Sequence, residues 1–426
     1  MNQSLESRFE AYCDAVVGAL THADRAQPAR WYIKGLLLPG DRKSVEPMAA
    51  RVQPDAVRPT HQSMHHLVAD APWSDAALMS VVARRVLPKL IGPDEPVWWI
   101  VDDTGFPKKG KHSVGVAHQY CGQSGKQDNC RVAVSLSIAT HQGSLPVGYR
   151  LYLPQEWSGD AARRQKAGVP AEITFATKPA LAMRQIEAAL EAGYPRGVVL
   201  ADAAYGDETA WREQLVGHGL TYAVAVRPGT TVWWGSHQPL PEATGEGRTD
   251  RPRQRLKRDS EHQPLAVAKL ARALPSQAWR PVAWREGVAG PLASRFARVR
   301  VSAAHRDQRR KEEWLVIEWP EGAQEPAHYW FSNLAKNVTW PSMVDTIMGR
   351  WRIERDYQEL KQELGLGHYE GRNWRGFHHH ATLCLAAYGF VVLERLSRRK
   401  KNAARFKTPP LPAHFQPRGA GAHAAS

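Results

Sequence analysis

The run Val97-Trp-Trp-Ile-Val101 leads directly into two carboxylates, Asp102 and Asp103. The chain then continues Thr104-Gly-Phe-Pro107 into Lys108, Lys109 and Lys111, three lysines in four residues. Five consecutive apolar residues, aromatic or β-branched, predict a buried strand ending at the two acids. A solvated turn, or a cap made by Asp103, is one ordinary outcome for such a pair. The sharper one is a divalent-cation site that handles phosphate, and it requires further hard oxygen ligands elsewhere in the chain.

A second strand-end acid is present. Pro179 to Ala192 reads as a helix, with Met183, Ile186 and Leu190 on its apolar side and Gly193 as its stop. Gly197-Val-Val-Leu-Ala-Asp202 follows as a strand closing on a carboxylate. Between the two acids, 112–120, 131–139 and 147–153 have strand character. Strands, then a helix, then a strand predict an α/β sheet whose edge holds the chemistry. Residues 1–88 read as a helical module and 216–332 as a β-rich insertion. Helical periods return at 342–364 and 378–398, and 399–426 reads as a flexible basic tail.

Charge narrows the partner. Lysine and arginine total 57 against 42 acidic residues, a net +15, which favours a polyanion. No charge-free apolar run reaches 18 residues, so no membrane span is expected. The N-terminus lacks a basic stretch followed by an apolar one, so no signal peptide is expected. Four scattered cysteines, Cys13, Cys121, Cys130 and Cys384, fit a reducing cytoplasm and lack zinc-site spacing.

The third acid is sought after the β-rich stretch, in Gly349-Arg-Trp-Arg-Ile-Glu354-Arg-Asp-Tyr-Gln-Glu-Leu-Lys361. On a helix, Arg350, Glu354, Tyr357 and Lys361 share one face. Glu354 suits a cation, while Arg350 and Lys361 suit flanking phosphates; an ion-paired solvated face accounts for the same spacing. Lys108, Lys109 and Lys111 are further phosphate candidates. So is the basic run Arg251, Arg253, Arg255, Lys257 and Arg258, which offers backbone contacts with little sequence discrimination.

Taken together these stretches resemble the DDE transposases of bacterial insertion sequences, members of the ribonuclease H-like superfamily. Arg350, Glu354 and Lys361 match the last three members of that family's Tyr-Arg-Glu-Lys signature; Ile347 stands at the tyrosine position. Asp-Asp-Thr-Gly-Phe-Pro-Lys-Lys-Gly, Gly-Val-Ala-His-Gln-Tyr and His-Tyr-Glu-Gly-Arg-Asn-Trp-Arg-Gly add to the likeness, which extends over roughly residues 25 to 395. The resemblance implies a ribonuclease H-like mixed sheet flanked by helices. Its catalytic domain covers 89–215 and 333–398, with a DNA-binding module at 1–88. It implies Asp103, Asp202 and Glu354 as the catalytic and metal-binding acids; Asp102, on the opposite face of the strand, is the rival for the first position. It implies Mg2+ or Mn2+, two ions with DNA bound, and double-stranded DNA as partner, both terminal inverted repeats and target. A homodimer on DNA is implied, in a bacterial cytoplasm at the nucleoid. The expected activity is cleavage at the element's ends and strand transfer. A nuclease without strand transfer, or an inactive DNA-binding derivative, remains the alternative.

Overall fold

The computed structural model describes residues 4–240, 256, 258–287, 290–306, 308 and 310–405. Five helices come first: α1 (Leu5–Val17), α2 (Ala23–Leu37), α3 (Val45–Val52), α4 (Val57–Ala69) and α5 (Asp75–Leu90). Strands β1 (Trp98–Pro107), β2 (Ala117–Cys121), β3 (Lys126–Ala139) and β4 (Ser144–Leu151) follow. Then come α6 (Gln155–Ser158), α7 (Ala161–Lys166), α8 (Lys178–Glu191), β5 (Val198–Ala201), α9 (Ala203–Gly206), α10 (Thr209–Gly217) and β6 (Tyr222–Ala225). The β-rich stretch holds β7 (Thr231–Trp233), β8 (Leu265–Ala266), α11 (Val267–Ala273), β9 (Arg280–Gly287), β10 (Gly290–Ala303), β11 (Glu312–Trp319) and β12 (His328–Ser332). The chain closes with α12 (Trp340–Met348), α13 (Arg352–Gln358) and α14 (Trp374–Arg405). Among the described residues no helix is long and apolar enough to cross a membrane.

The result is a mixed α/β fold with a central sheet flanked by helices. The sheet runs β2-β3-β1-β5-β6-β12-β11-β10-β7-β8, with β4 also on β3 and β9 also on β10. β1 lies antiparallel to β3 along its whole length but parallel to β5 only from Trp98 to Ile100. The strand therefore does not end at the acids, as expected from sequence. It runs on to Pro107 because β3 continues to pair with it after β5 has stopped. The β-rich stretch is not a sheet of its own either. β6 pairs in parallel with β5 and antiparallel with β12, so the insertion extends the central sheet. A buried group secures that joint: the Tyr222 hydroxyl donates to Glu313 at 2.8 Å, and Arg212 lies 3.4 Å from the same carboxylate and 4.8 Å from the Phe331 ring centre.

Alternation along β1 sorts its side chains between the two faces. Trp99 reaches the α8 face, donating to the Pro195 carbonyl, while Phe106 meets Phe377 of α14 edge-on. The helix expected over 342–364 is broken. A tight turn at Gly349–Trp351 separates α12 from α13, and Glu359–Glu363 widens into a π-helical turn. Gly349 has a reason to be glycine: a Cβ there would lie 2.9 Å from the Trp98 ring. α14 stays helical to Arg405, past the point where a flexible tail was expected; the rest of that tail lies outside the described residues.

α1 to α5 share one core with the sheet through α14. Ser4 and Ser74 cap α1 and α5, each accepting a backbone N–H from the first turn. Three consecutive histidines of α14 are buried in the contact. His379 stacks on Trp73, and His380 lies between Tyr32 and the turn before α14. Its Nε2 faces the Gly365 carbonyl, which can only accept, so Nε2 carries the proton; with burial keeping the ring neutral, Nδ1 accepts from the Tyr32 hydroxyl. Burial lowers His380 to about 4. The unfolded chain takes up this proton near pH 6.5, whereas the folded chain resists until about 4, so the stabilisation is complete above 6.5 and is lost as pH falls. The stability advantage of wild type over H380Q, measured by urea denaturation, should shrink by about 1.4 kcal/mol per pH unit between 6.5 and 4. A pH-independent difference would overturn this assignment of the neutral ring.

Candidate functional site

The site forms where β5 ends and β1 continues. Asp102 lies on the β1 face that looks towards α13, beside Ser135 of β3, and is 8% exposed. Because Gly349 rests on the Trp98 ring, the next residue, Arg350, is delivered over the acid, with Nη2 3.1 Å from the Asp102 carboxylate. Burial nonetheless pushes Asp102 up to about 7; Arg350 opposes the shift, and Asp202 and Asp103 add to it. Tyr357 of α13 closes the same face by hydrogen bonding to Ser135.

Asp202 caps α9, accepting the Ala204 N–H at 2.9 Å. Its carboxyl is raised by burial and by Asp103, again against Arg350. Gly206 lets α9 press on the β6 backbone, because a Cβ there would collide with the Ala225 carbonyl. Asp103 points to the other face of β1, where Lys178 at the first position of α8 forms an ion pair with it. Glu354 is well exposed, with its carboxylate 3.9 Å from Arg350 Nη1. The structure thus gathers Asp102, Asp202 and Glu354 around Arg350, with Asp103 near them but tied to Lys178. Among the described residues no three His, Cys, Asp or Glu side chains form a ready cation cage; two internal cations hold the acids instead.

The phosphate candidates divide. Lys109 and Lys111 are exposed. Lys108 is half-buried, donates to the Tyr369 carbonyl at 3.0 Å and is lowered to about 8 by burial and by Arg131. Lys361 turns in to β1, donating to the Gly105 carbonyl at 2.9 Å above the Phe106 ring. Arg350 is occupied with the acids. Arg251, Arg253 and Arg255, with Lys257, lie outside the described residues. Sequence reasoning did not find Lys178, whose helical period is ordinary. It also missed Arg131, fully buried among Phe106, Tyr369 and Phe377, with Nη2 on the Tyr369 carbonyl. Tyr205, a buried hydroxyl raised by burial and by the three aspartates beside it, was likewise unmarked.

Residues 15–291 match the family described as DDE superfamily endonuclease, well over half of the chain. The chain belongs to that superfamily. The matched stretch holds Asp102, Asp103 and Asp202; Glu354 lies beyond it. The chain is also similar to the probable transposase for insertion sequence element IS701 of Microchaete diplosiphon, with 32% identity over 167 residues. That alignment spans 39% of this chain and 40% of the relative, so it reaches about two fifths of each.

Asp202 and Asp103 raise Asp102, and Asp103 raises Asp202, which is the electrostatic condition a cation relieves, and the donor set is entirely carboxylate oxygen. Such hard donors fit Mg2+ or Mn2+, which need only one or two carboxylates beside phosphate and water. Arg350 substitutes for part of that charge. Replacing it with Met removes the counter-charge from buried Asp102; because that carboxyl, at about 7, can take up a proton instead, the cost at pH 8 is about 1.4 kcal/mol. The cost should shrink towards pH 6, where Asp102 becomes neutral, and R350M/D102N should recover most of it. An equal cost at both pH values in urea denaturation would show that Arg350 acts through packing alone.

Proposed function

We propose that this chain is a metal-dependent DNA phosphoryl-transfer enzyme, a transposase that cuts at the ends of an insertion sequence and joins them to target DNA. The observation that carries the reading is the convergence of Asp102, Asp202 and Glu354 around Arg350 in a chain of the DDE superfamily. The mixed sheet with β1 between β3 and β5 is read as ribonuclease H-like. The spacing of Arg350, Glu354 and Lys361 is read as the Tyr-Arg-Glu-Lys signature, with buried Ile347 in the tyrosine position.

Asp103 was the choice from sequence for the first acid, and we move it to Asp102. Asp102 shares a face with α13 and touches Arg350, whereas Asp103 faces α8 and is held by Lys178. Asp102, Asp202 and Glu354 would hold Mg2+ or Mn2+, two ions in the DNA complex. When bound, the ions activate the attacking oxygen and neutralise charge on the leaving one. Asp102 and Asp202 supply the rigid side of the site, fixed by a strand and a helix cap. Exposed Glu354 supplies the side that meets DNA. Lys109 and Lys111 are placed to meet backbone phosphates next to the break. The partner is double-stranded DNA, both terminal repeats and target, held by a homodimer that brings two ends together.

The test is Mg2+- or Mn2+-dependent cleavage and joining of duplexes carrying the element's own ends, run beside Mn2+ binding by calorimetry. D102N, D202N and E354Q should lose cleavage and weaken Mn2+ binding while retaining DNA binding; D103N should keep most of its cleavage. If D103N fails and D102N cuts, the first acid returns to Asp103. Cleavage without joining selects a nuclease, and DNA binding with neither step selects an inactive derivative.

A further inference from the structure

α13 has a second basic side that the site does not use. Arg352 Nη2 donates to the His141 carbonyl at 3.0 Å, and Arg399 of α14 donates to the Gln142 carbonyl at 2.7 Å, so both grip the turn between β3 and β4. Arg355 and Arg395 reach Glu359 from either side, at 3.4 and 2.6 Å. These four guanidinium groups bound a small cavity of about 70 Å³ with Tyr388 and Asp356. The Nε of Arg352 is buried there without a partner. Arg398 is exposed on the next turn of α14.

The negative charges in this cluster are largely occupied. Asp356 is buried and accepts from Ser144 and from the Tyr388 hydroxyl, and Glu359 is shared by two arginines. Burial lowers Arg352; Asp356 and Tyr388 oppose the shift, and Arg399 and Arg355 add to it. The cluster is also continuous with the active side. A cleft of about 580 Å³ that reaches Glu354 and Trp351 is lined by the same Arg355 and Glu359 that line the small cavity. Guanidinium groups held by backbone carbonyls, with donors to spare, suit phosphate oxygens and read no base sequence.

We infer that Arg352, Arg355, Arg395, Arg398 and Arg399 form a second, sequence-independent DNA track that carries the duplex backbone away from Glu354 along α13 and the end of α14. The inference rests on the DNA reading above, and its test separates the two. The full-length chain is titrated with a 30-bp end duplex and a 30-bp unrelated duplex over a range of salt concentrations, using wild type, R395Q/R398Q/R399Q and R395K/R398K/R399K. Losing three backbone contacts should make the slope of log affinity against log salt shallower by about 2–3. Both duplexes should weaken by the same factor, and the lysine variant should keep the wild-type slope. A glutamine variant with an unchanged slope, or a lysine variant as weak as the glutamine one, overturns the track while leaving the catalytic reading intact. A wild type without salt-dependent duplex binding sinks the DNA reading itself. Stronger competition by polyglutamate than by either duplex, lost in the glutamine variant, would assign the arginines to an acidic polypeptide instead.

Discussion

A carboxylate on a central strand has lost most of its water, and Asp102 is such a carboxylate. Desolvation opposes its charge, and two neighbouring aspartates oppose it further. The surrounding structure answers with a single guanidinium. To bring Arg350 there, the chain must break the helix at Gly349, lay the turn on the Trp98 ring and restart as α13. Tyr357 then closes the same face, and Glu354, one helical turn from Arg350, stays exposed beside it. The arrangement of this face follows from compensating one buried acid.

The sheet explains how residues 248 apart in sequence come to that point. β5 is short and stops beside Ile100, which leaves the rest of β1 open on one side while β3 supports it on the other. Asp202 leaves β5 at that gap and caps α9. The β-rich stretch departs after β6 and returns through β12 next to it, so its length does not displace α12 and α13. An insertion that extends an existing sheet adds hydrogen-bonded edge without opening the core, and the Arg212–Glu313–Tyr222 group marks the joint.

Much of this was legible in local pattern. The apolar run before Asp102, the periodicity of α8 and the strand before Asp202 appear in the structure; of the face expected for Arg350, Glu354, Tyr357 and Lys361, all but exposed Glu354 turn in towards the sheet. Their signals are short-range, so sequence carries them well. The failures concern pairing and parity. β1 extends past the acids because β3 pairs there, a contact no local window contains. The break at Gly349 depends on a tryptophan in another strand. Whether Asp102 or Asp103 faces α13 is a matter of one residue in register, and only the contacts of Trp98 and Trp99 on opposite faces fix it. Lys178 and Arg131 are unremarkable in sequence because their partners lie far along the chain.

The two internal cations also have a consequence for the order of events. Asp102 and Asp103 are each neutralised from a different face, by Arg350 and by Lys178, so the acids can be collected without any ion present. Arg350 already stands beside Asp102, so a divalent cation held there would face like charge in a poorly hydrated site, which is costly. Arg350 has an alternative partner one helical turn away in exposed Glu354, and a phosphodiester bound there would supply another negative group. On the proposed reading, a phosphate that paired with Arg350 would free Asp102 for a cation, so phosphate and cation would favour each other at this site. On that reading, cation binding would depend on phosphate being present.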